Sequence, residues 1–221
     1  MSDAIRHEIT LLRHGRVEGA PALYGRSDPV LASDAFEPFT HLMNKPQGTW
    51  QRVLCSPRAR CVQVATPMAN HFNIPLEIWP ELAEMDFGDW DGIPYADLVE
   101  HWPRFEQFWA DPMANPLPGA ELLADFHQRI LSAWQRLLAM SRDGSLLVVT
   151  HGGVIRLLLA HLLHADWRRG DFYQCLTIPY ASLTQLDVWH TQGEPAIQIR
   201  QLASIGHPEP SRLIERETNK A

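Results

Sequence analysis

The segment Leu146-Leu147-Val148-Val149-Thr150-His151-Gly152-Gly153-Val154-Ile155 passes from one apolar block into another through a short polar hinge. Leu146 to Val149 reads as a strand buried on both faces. Val154 to Leu163 reads as an apolar helix, and Thr150-His151-Gly152-Gly153 as the turn between them. A strand of this kind leading straight into a helix belongs to a mostly parallel sheet. Working outward, Ile9 to Leu12 is a second buried strand, ending in Arg13-His14-Gly15. Arg52 to Cys55 is a third, ending in Ser56-Pro57-Arg58. Ser56 has the character of a helix N-cap and Pro57 of a first helical residue. The helix they open is expected to run through Val62, Ala65 and Ala69 toward His71, kinked or broken at Pro67. Leu76 to Trp79 is a further short strand. Leu123, Phe126, Ile130, Trp134, Leu137 and Leu138 recur at helical spacing between Leu122 and Met140, and Asp143-Gly144 closes that helix. Leu183 to Val188 and Ile197 to Leu202 are late strands, candidates for antiparallel pairing.

The expected fold is therefore α/β: a three-layer αβα sandwich around a mostly parallel sheet. One domain is expected over residues 1–203, with an excursion at about 87–120, and a polar, frayed tail over 204–221. The 221 residues hold 26 acidic side chains against 19 Lys or Arg, a formal charge of −7. That balance offers no basic tract for nucleic acid. No run approaches the roughly 18 apolar residues of a membrane span, and the opening MSDAIRHEIT lacks a signal-peptide core. Cys55, Cys61 and Cys175 are odd in number and lack metal-finger spacing, so reduced thiols in the cytoplasm are expected. Nothing in the sequence bears on oligomeric state.

In a parallel sheet, ligands sit beyond the carboxyl ends of the strands. Three such ends carry Arg13-His14-Gly15, Ser56-Pro57-Arg58 and His151-Gly152-Gly153, so two arginines and two histidines converge on one edge. Helix N-termini and forked guanidinium donors both favour an oxyanion, and glycine lets backbone approach it. A phosphoryl group is the expected occupant. Taken singly, each strand-terminal histidine also fits a hydrogen-bonded structural role.

Leu11-Leu12-Arg13-His14-Gly15 resembles the signature of the histidine phosphatase superfamily, which includes phosphoglycerate mutases. Cys55-Ser56-Pro57-Arg58-Ala59-Arg60-Cys61 resembles its second-arginine segment, the run Leu82 to Gly92 its acid loop, and Val149 to Gly153 its second-histidine segment. The four occur in the family's order over roughly residues 7–190. The resemblance implies a phosphoglycerate mutase-like fold and a small-molecule phosphomonoester as substrate, with no cofactor or metal. It implies His14 as nucleophile, Arg13, Arg58 and His151 around the phosphate oxygens, and Glu84 as proton donor and then base. Gly152, and Gly25 in the resembling loop Leu23 to Asp28, would offer backbone to the phosphate. Glu81 competes with Glu84 for the acid's role, and the family's Leu-Asn-Glu favours Glu84. Arg60 is expected as a solvated helix residue. His161 and His164, one turn apart, lack a third metal ligand. After His14 the chain departs from the family pattern: Arg16-Val17-Glu18-Gly19-Ala20 lacks the usual Asn, for which Arg16 either compensates or is a surface residue, the second reading being favoured.

Seven of the 20 aromatics lie between Phe87 and Trp109. They form either a helical excursion packed on itself or a lid over a flat, apolar leaving group. From Glu84 to Gly119 the only Lys or Arg is Arg104, which disfavours a mutase of doubly anionic substrates. Within the superfamily, the run Glu84 to Trp90 and the chain length are most similar to α-ribazole phosphatases, which act in cobalamin synthesis. A broad-specificity or sugar-phosphate phosphatase, a phosphoglycerate mutase and a non-catalytic phospholigand binder stay open as alternatives.

Overall fold

The computed structural model describes residues 5–205. Six strands form one sheet: β1 (Ile5–Arg13), β2 (Arg52–Cys55), β3 (Leu76–Ile78), β4 (Leu146–Thr150), β5 (Leu183–His190) and β6 (Ala196–Ser204). Their order is β3-β2-β4-β1-β5-β6. β3, β2, β4 and β1 are mutually parallel, while β5 and β6 add in antiparallel sense. The helices are α1 (Ala59–Phe72), α2 (Trp102–Ala110), α3 (Leu123–Met140), α4 (Gly152–Leu162) and α5 (Gly170–Cys175). The tail expected beyond Ser204 lies, after Ile205, outside the described residues.

Successive strand side chains point to opposite faces, and this chain puts apolar groups at both parities. Leu11, Leu54 and Val148 join one core with Ile130, Trp134, Leu157 and Leu158 of α3 and α4. Leu12, Val53, Cys55, Leu147 and Val149 join the other with Val64, Ala65 and Met68 of α1. The sheet is thus the middle of three layers, and its uniform apolar strands follow from burial on both sides.

Two expectations for α1 are corrected. The helix begins at Ala59 rather than Pro57, and the Ser56 hydroxyl does not cap it. Asp28, from a distant loop, accepts the Ala59 N–H at 2.8 Å instead. Nor does Pro67 break the helix, which runs unbroken to Phe72. The carbonyl that Pro67 deprives of a partner is that of Gln63, an exposed residue, where solvent satisfies it.

The aromatic excursion comprises short 3-10 turns at Gly88–Trp90 and Tyr95–His101 followed by α2. Its rings pack largely on one another, with Trp90 and Phe105 centroids 4.6 Å apart and Phe105 stacked on Trp109 at 5.1 Å. Among the described residues, no helix is long and apolar enough to cross a membrane.

Candidate active site

The parallel register pairs Arg13 with Thr150 and Cys55 with Val149, so β1, β2 and β4 end side by side. Backbone bonds carry the alignment one residue further: the His14 N–H donates to the Thr150 carbonyl and the Ser56 N–H to that of Val149, each at 3.0 Å. Beyond these ends lies a cleft of about 520 Å³ whose walls include Arg13, His14, Glu84, Gly152, Gly153, Arg156 and Tyr180.

His14 is buried, and its Nδ1 lies 2.8 Å from the Gly15 carbonyl. A carbonyl only accepts, so Nδ1 carries the hydrogen and Nε2 presents the lone pair. Burial foremost, then the Arg13 and Arg60 charges, holds this imidazole well below the usual histidine range, against the Gly15 bond. The ring is a neutral base with a fixed tautomer.

His151 stands behind it, the two ring centroids 5.1 Å apart. Its Nε2 is 2.7 Å from the Ser56 hydroxyl, whose oxygen also accepts the Arg58 N–H at 3.3 Å. That duty explains why Ser56 is unavailable as a helix cap. Burial, then His14 and the surrounding arginines, also keeps His151 neutral. Among the described residues, the buried nitrogens without a protein partner include Nδ1 of His151 and Nε of Arg13, Arg58 and Arg60. Leaving such groups unmade is costly, and nitrogens of this kind are donors for a bound oxyanion. The Arg13 guanidinium lies 3.9 Å over the Tyr180 ring, which also approaches His14.

Glu84 reaches across the cleft. Its Oε2 accepts the Gly153 N–H at 3.0 Å, at the N-terminus of α4. Its competitor Glu81 instead pairs with Arg136 at 2.7 Å on the surface. The acid loop is held from α3: Arg129 donates to the carbonyls of Glu81 and Ala83 at 2.8 Å and of Glu84 at 3.1 Å. Arg129 is itself clamped in a bidentate pair with Glu121.

Two sequence expectations fail at the neighbouring loop. The Gly25 N–H is not offered to the cleft but donates to Asp91 Oδ2 at 3.0 Å. Asp91 also accepts the backbone N–H groups of Arg26, Ser27 and Phe87, so one carboxylate gathers the loop. Arg60 is not solvated but fully buried. It donates to the carbonyls of Ser27 at 2.8 Å and Tyr24 at 2.7 Å, tying that loop to α1. Arg16 is exposed and paired with Asp34, and it also lines the cleft.

Beside the cleft and sharing Leu23, Glu84, Phe87, Gly153 and Arg156 with it is an apolar cavity of about 150 Å³. Phe87, Phe108, Trp109, Leu123, Phe126 and Tyr173 line it. The aromatic excursion is therefore both a self-packed unit and a wall. Sequence reading missed Arg129, Arg156 and Tyr180. A signal existed for Arg156, three residues after Gly153 and so on the same helix face. Among the described residues, no cluster of His, Cys, Asp or Glu is arranged to hold a metal ion, and His161 and His164 are exposed.

Neutral histidines and unpartnered arginine donors at the carboxyl edge of a parallel sheet define a phosphoryl-handling α/β enzyme. Residues 9–198 match the model of the histidine phosphatase superfamily (branch 1). The adenosylcobalamin/alpha-ribazole phosphatase of Salmonella typhimurium is 32% identical over 193 residues, covering 84% of this chain and 85% of that protein. Among solved structures, the alpha-ribazole phosphatase from Shigella flexneri aligns with a TM-score of 0.71 at 23% identity, covering 91% of this chain and 100% of that one. A mycobacterial glucosyl-3-phosphoglycerate phosphatase aligns at 0.72 and 21%, covering 88% and 98%. The chain belongs to the histidine phosphatase superfamily and is a phosphatase.

Proposed function

We propose that this phosphatase hydrolyses small phosphomonoesters through a phosphohistidine on His14, and that α-ribazole 5′-phosphate is the substrate its cleft suits best, as a step in cobalamin synthesis. The observation that carries the mechanism is the Nδ1 contact of His14 with the Gly15 carbonyl at 2.8 Å, which leaves the Nε2 lone pair as the attacking group. Nε2 bonds to phosphorus as the ester P–O bond breaks, and the Glu84 carboxyl gives its proton to the departing alkoxide. The Glu84 carboxylate then takes a proton from water, whose oxygen displaces Nε2 and releases inorganic phosphate. Arg13, Arg58 and His151 hold the equatorial oxygens through donors that lack protein partners, supplying charge stabilisation from the chain itself. Gly152, on the cleft wall at the start of α4, leaves room for the phosphate to approach.

The substrate reading rests on the 32% identity to the Salmonella protein and on the apolar cavity. A cavity of about 150 Å³ is the size that admits one benzene-like ring. One ring of a bicyclic base would fill it, with the sugar in the adjoining cleft, the excursion at 87–120 acting as lid. The three free cysteines suit the cytoplasm.

The test is kcat/KM, with EDTA present, for α-ribazole 5′-phosphate against an aryl phosphate, 3-phosphoglycerate, fructose bisphosphates and nucleoside monophosphates. A preference of a hundredfold, about 2.7 kcal/mol of transition-state binding, is expected. Comparable turnover across the panel would leave a broad-specificity phosphatase. No turnover at all would leave a phospholigand-binding protein.

A further inference from the structure

Arg156 lies in the first turns of α4 and lines both the phosphate cleft and the apolar cavity. Its Nε donates to the Leu176 carbonyl at 2.7 Å, which fixes the plane of the guanidinium. That bond uses one of five N–H donors. Among the described residues, the other nitrogens make no hydrogen bond and no ion pair, and the residue is half-buried. Arg129, also half-buried, spends its donors on three carbonyls and Glu121, whereas those of Arg156 are left to the cleft. Arg156 keeps them at the junction of the two compartments, beside Glu84.

We infer that Arg156 is the specificity-determining residue of the cleft: it donates to acceptor oxygens, hydroxyl or ring ether, lying between the scissile ester and an apolar end group. This rests on the phosphatase reading above and adds the residue that reads the linker: the substrates favoured are phosphomonoesters in which a polyhydroxylated linker joins the phosphate to an aromatic ring. Neutral acceptors fit better than a second anion, because the wall beyond Arg156 is apolar, built from Phe108, Leu123 and Phe126. Phe108 and Trp109 take the ring, and the phosphate lies at His14.

The test compares two synthetic substrates of similar reach: a ribosyl 5′-phosphate bearing an N-linked benzimidazole, and 5-phenylpentyl phosphate, which lacks the acceptors. Wild type, Arg156→Met and Arg156→Lys are assayed on both, with 3-phosphoglycerate alongside. Arg156→Met is expected to lower the ribosyl-to-alkyl ratio of kcat/KM about thirtyfold, chiefly through KM, with Arg156→Lys between. Equal losses on both substrates would overturn the inference, placing Arg156 in support of Glu84 or of the fold. A greater loss on 3-phosphoglycerate would overturn it in favour of a second anion. Calorimetric Kd ratios for the same pair read Arg156 independently of turnover, so absent chemistry would count against the phosphatase reading alone.

Discussion

Glu84 and Gly153 are matched in shape as well as in hydrogen bonding. The Gly153 N–H donates to Glu84 Oε2 at 3.0 Å, and a β-carbon on Gly153 would collide with Oε1 of the same carboxylate. The carboxylate lies against a helix N-terminus only because that residue has no side chain. Gly153→Ala is therefore expected to displace the acid and cut kcat about a hundredfold, as Glu84→Gln would. The double variant should be little worse than either single one, since both remove the same function. Single-turnover kinetics on an alkyl phosphate, whose leaving group needs a proton, would check this.

His14 should remain neutral and protonated on Nδ1 across roughly pH 6 to 8, although free histidine titrates in that window. Long-range nitrogen–proton NMR reads the tautomer directly. The same depression has a consequence for stability. A histidine held neutral by the fold stabilises it fully above the ordinary value of 6.5, and that contribution is lost as pH falls below 6.5 toward the lowered folded value. Urea titrations should show wild type weakening below 6.5 more steeply than His14→Asn.

Arg129→Met would free the carbonyls of Glu81, Ala83 and Glu84 and leave Glu121 unpaired. A loss of about 2 kcal/mol in unfolding free energy is expected. Because the freed loop carries Glu84, kcat should fall more than KM rises.

Asp91→Ala removes the acceptor of four backbone N–H groups, from Gly25, Arg26, Ser27 and Phe87. It should cost about 2 kcal/mol. Burial pushes the Asp91 carboxyl up, but the Ser27 hydroxyl, with the backbone N–H groups of Ser27, Phe87 and Arg26, holds it below its ordinary 3.8. Its contribution is thus present above 3.8 and lost as pH falls through the lower folded value. Acid unfolding of the variant should lack that component.

The strand ends could be read in the sequence because burial on both faces leaves an unbroken apolar run, and the break after it marks where side chains meet ligand. Arg13, His14 and Gly152 reach one cleft, with His151 behind His14, for that reason; Glu84, which ends no strand, was legible only through the resemblance carried by Leu82 to Gly92. Arg60 and Gly25 depart from the sequence expectation because their partners are not local. Arg60 turns inward to carbonyls of Tyr24 and Ser27, groups that every residue carries and no sequence pattern marks. The Gly25 N–H is claimed by Asp91, 66 positions away. Arg129 escaped notice for the same reason, its targets being main-chain oxygens.

The central claim is covalent: phosphate passes through Nε2 of His14. Rapid-quench trapping with ³²P-labelled substrate, worked up without acid, tests it most directly. Acid-labile, alkali-stable label is expected on the peptide containing His14, and none in His14→Ala, whose turnover is abolished. Undiminished turnover by His14→Ala, or label recovered on another residue, would contradict it.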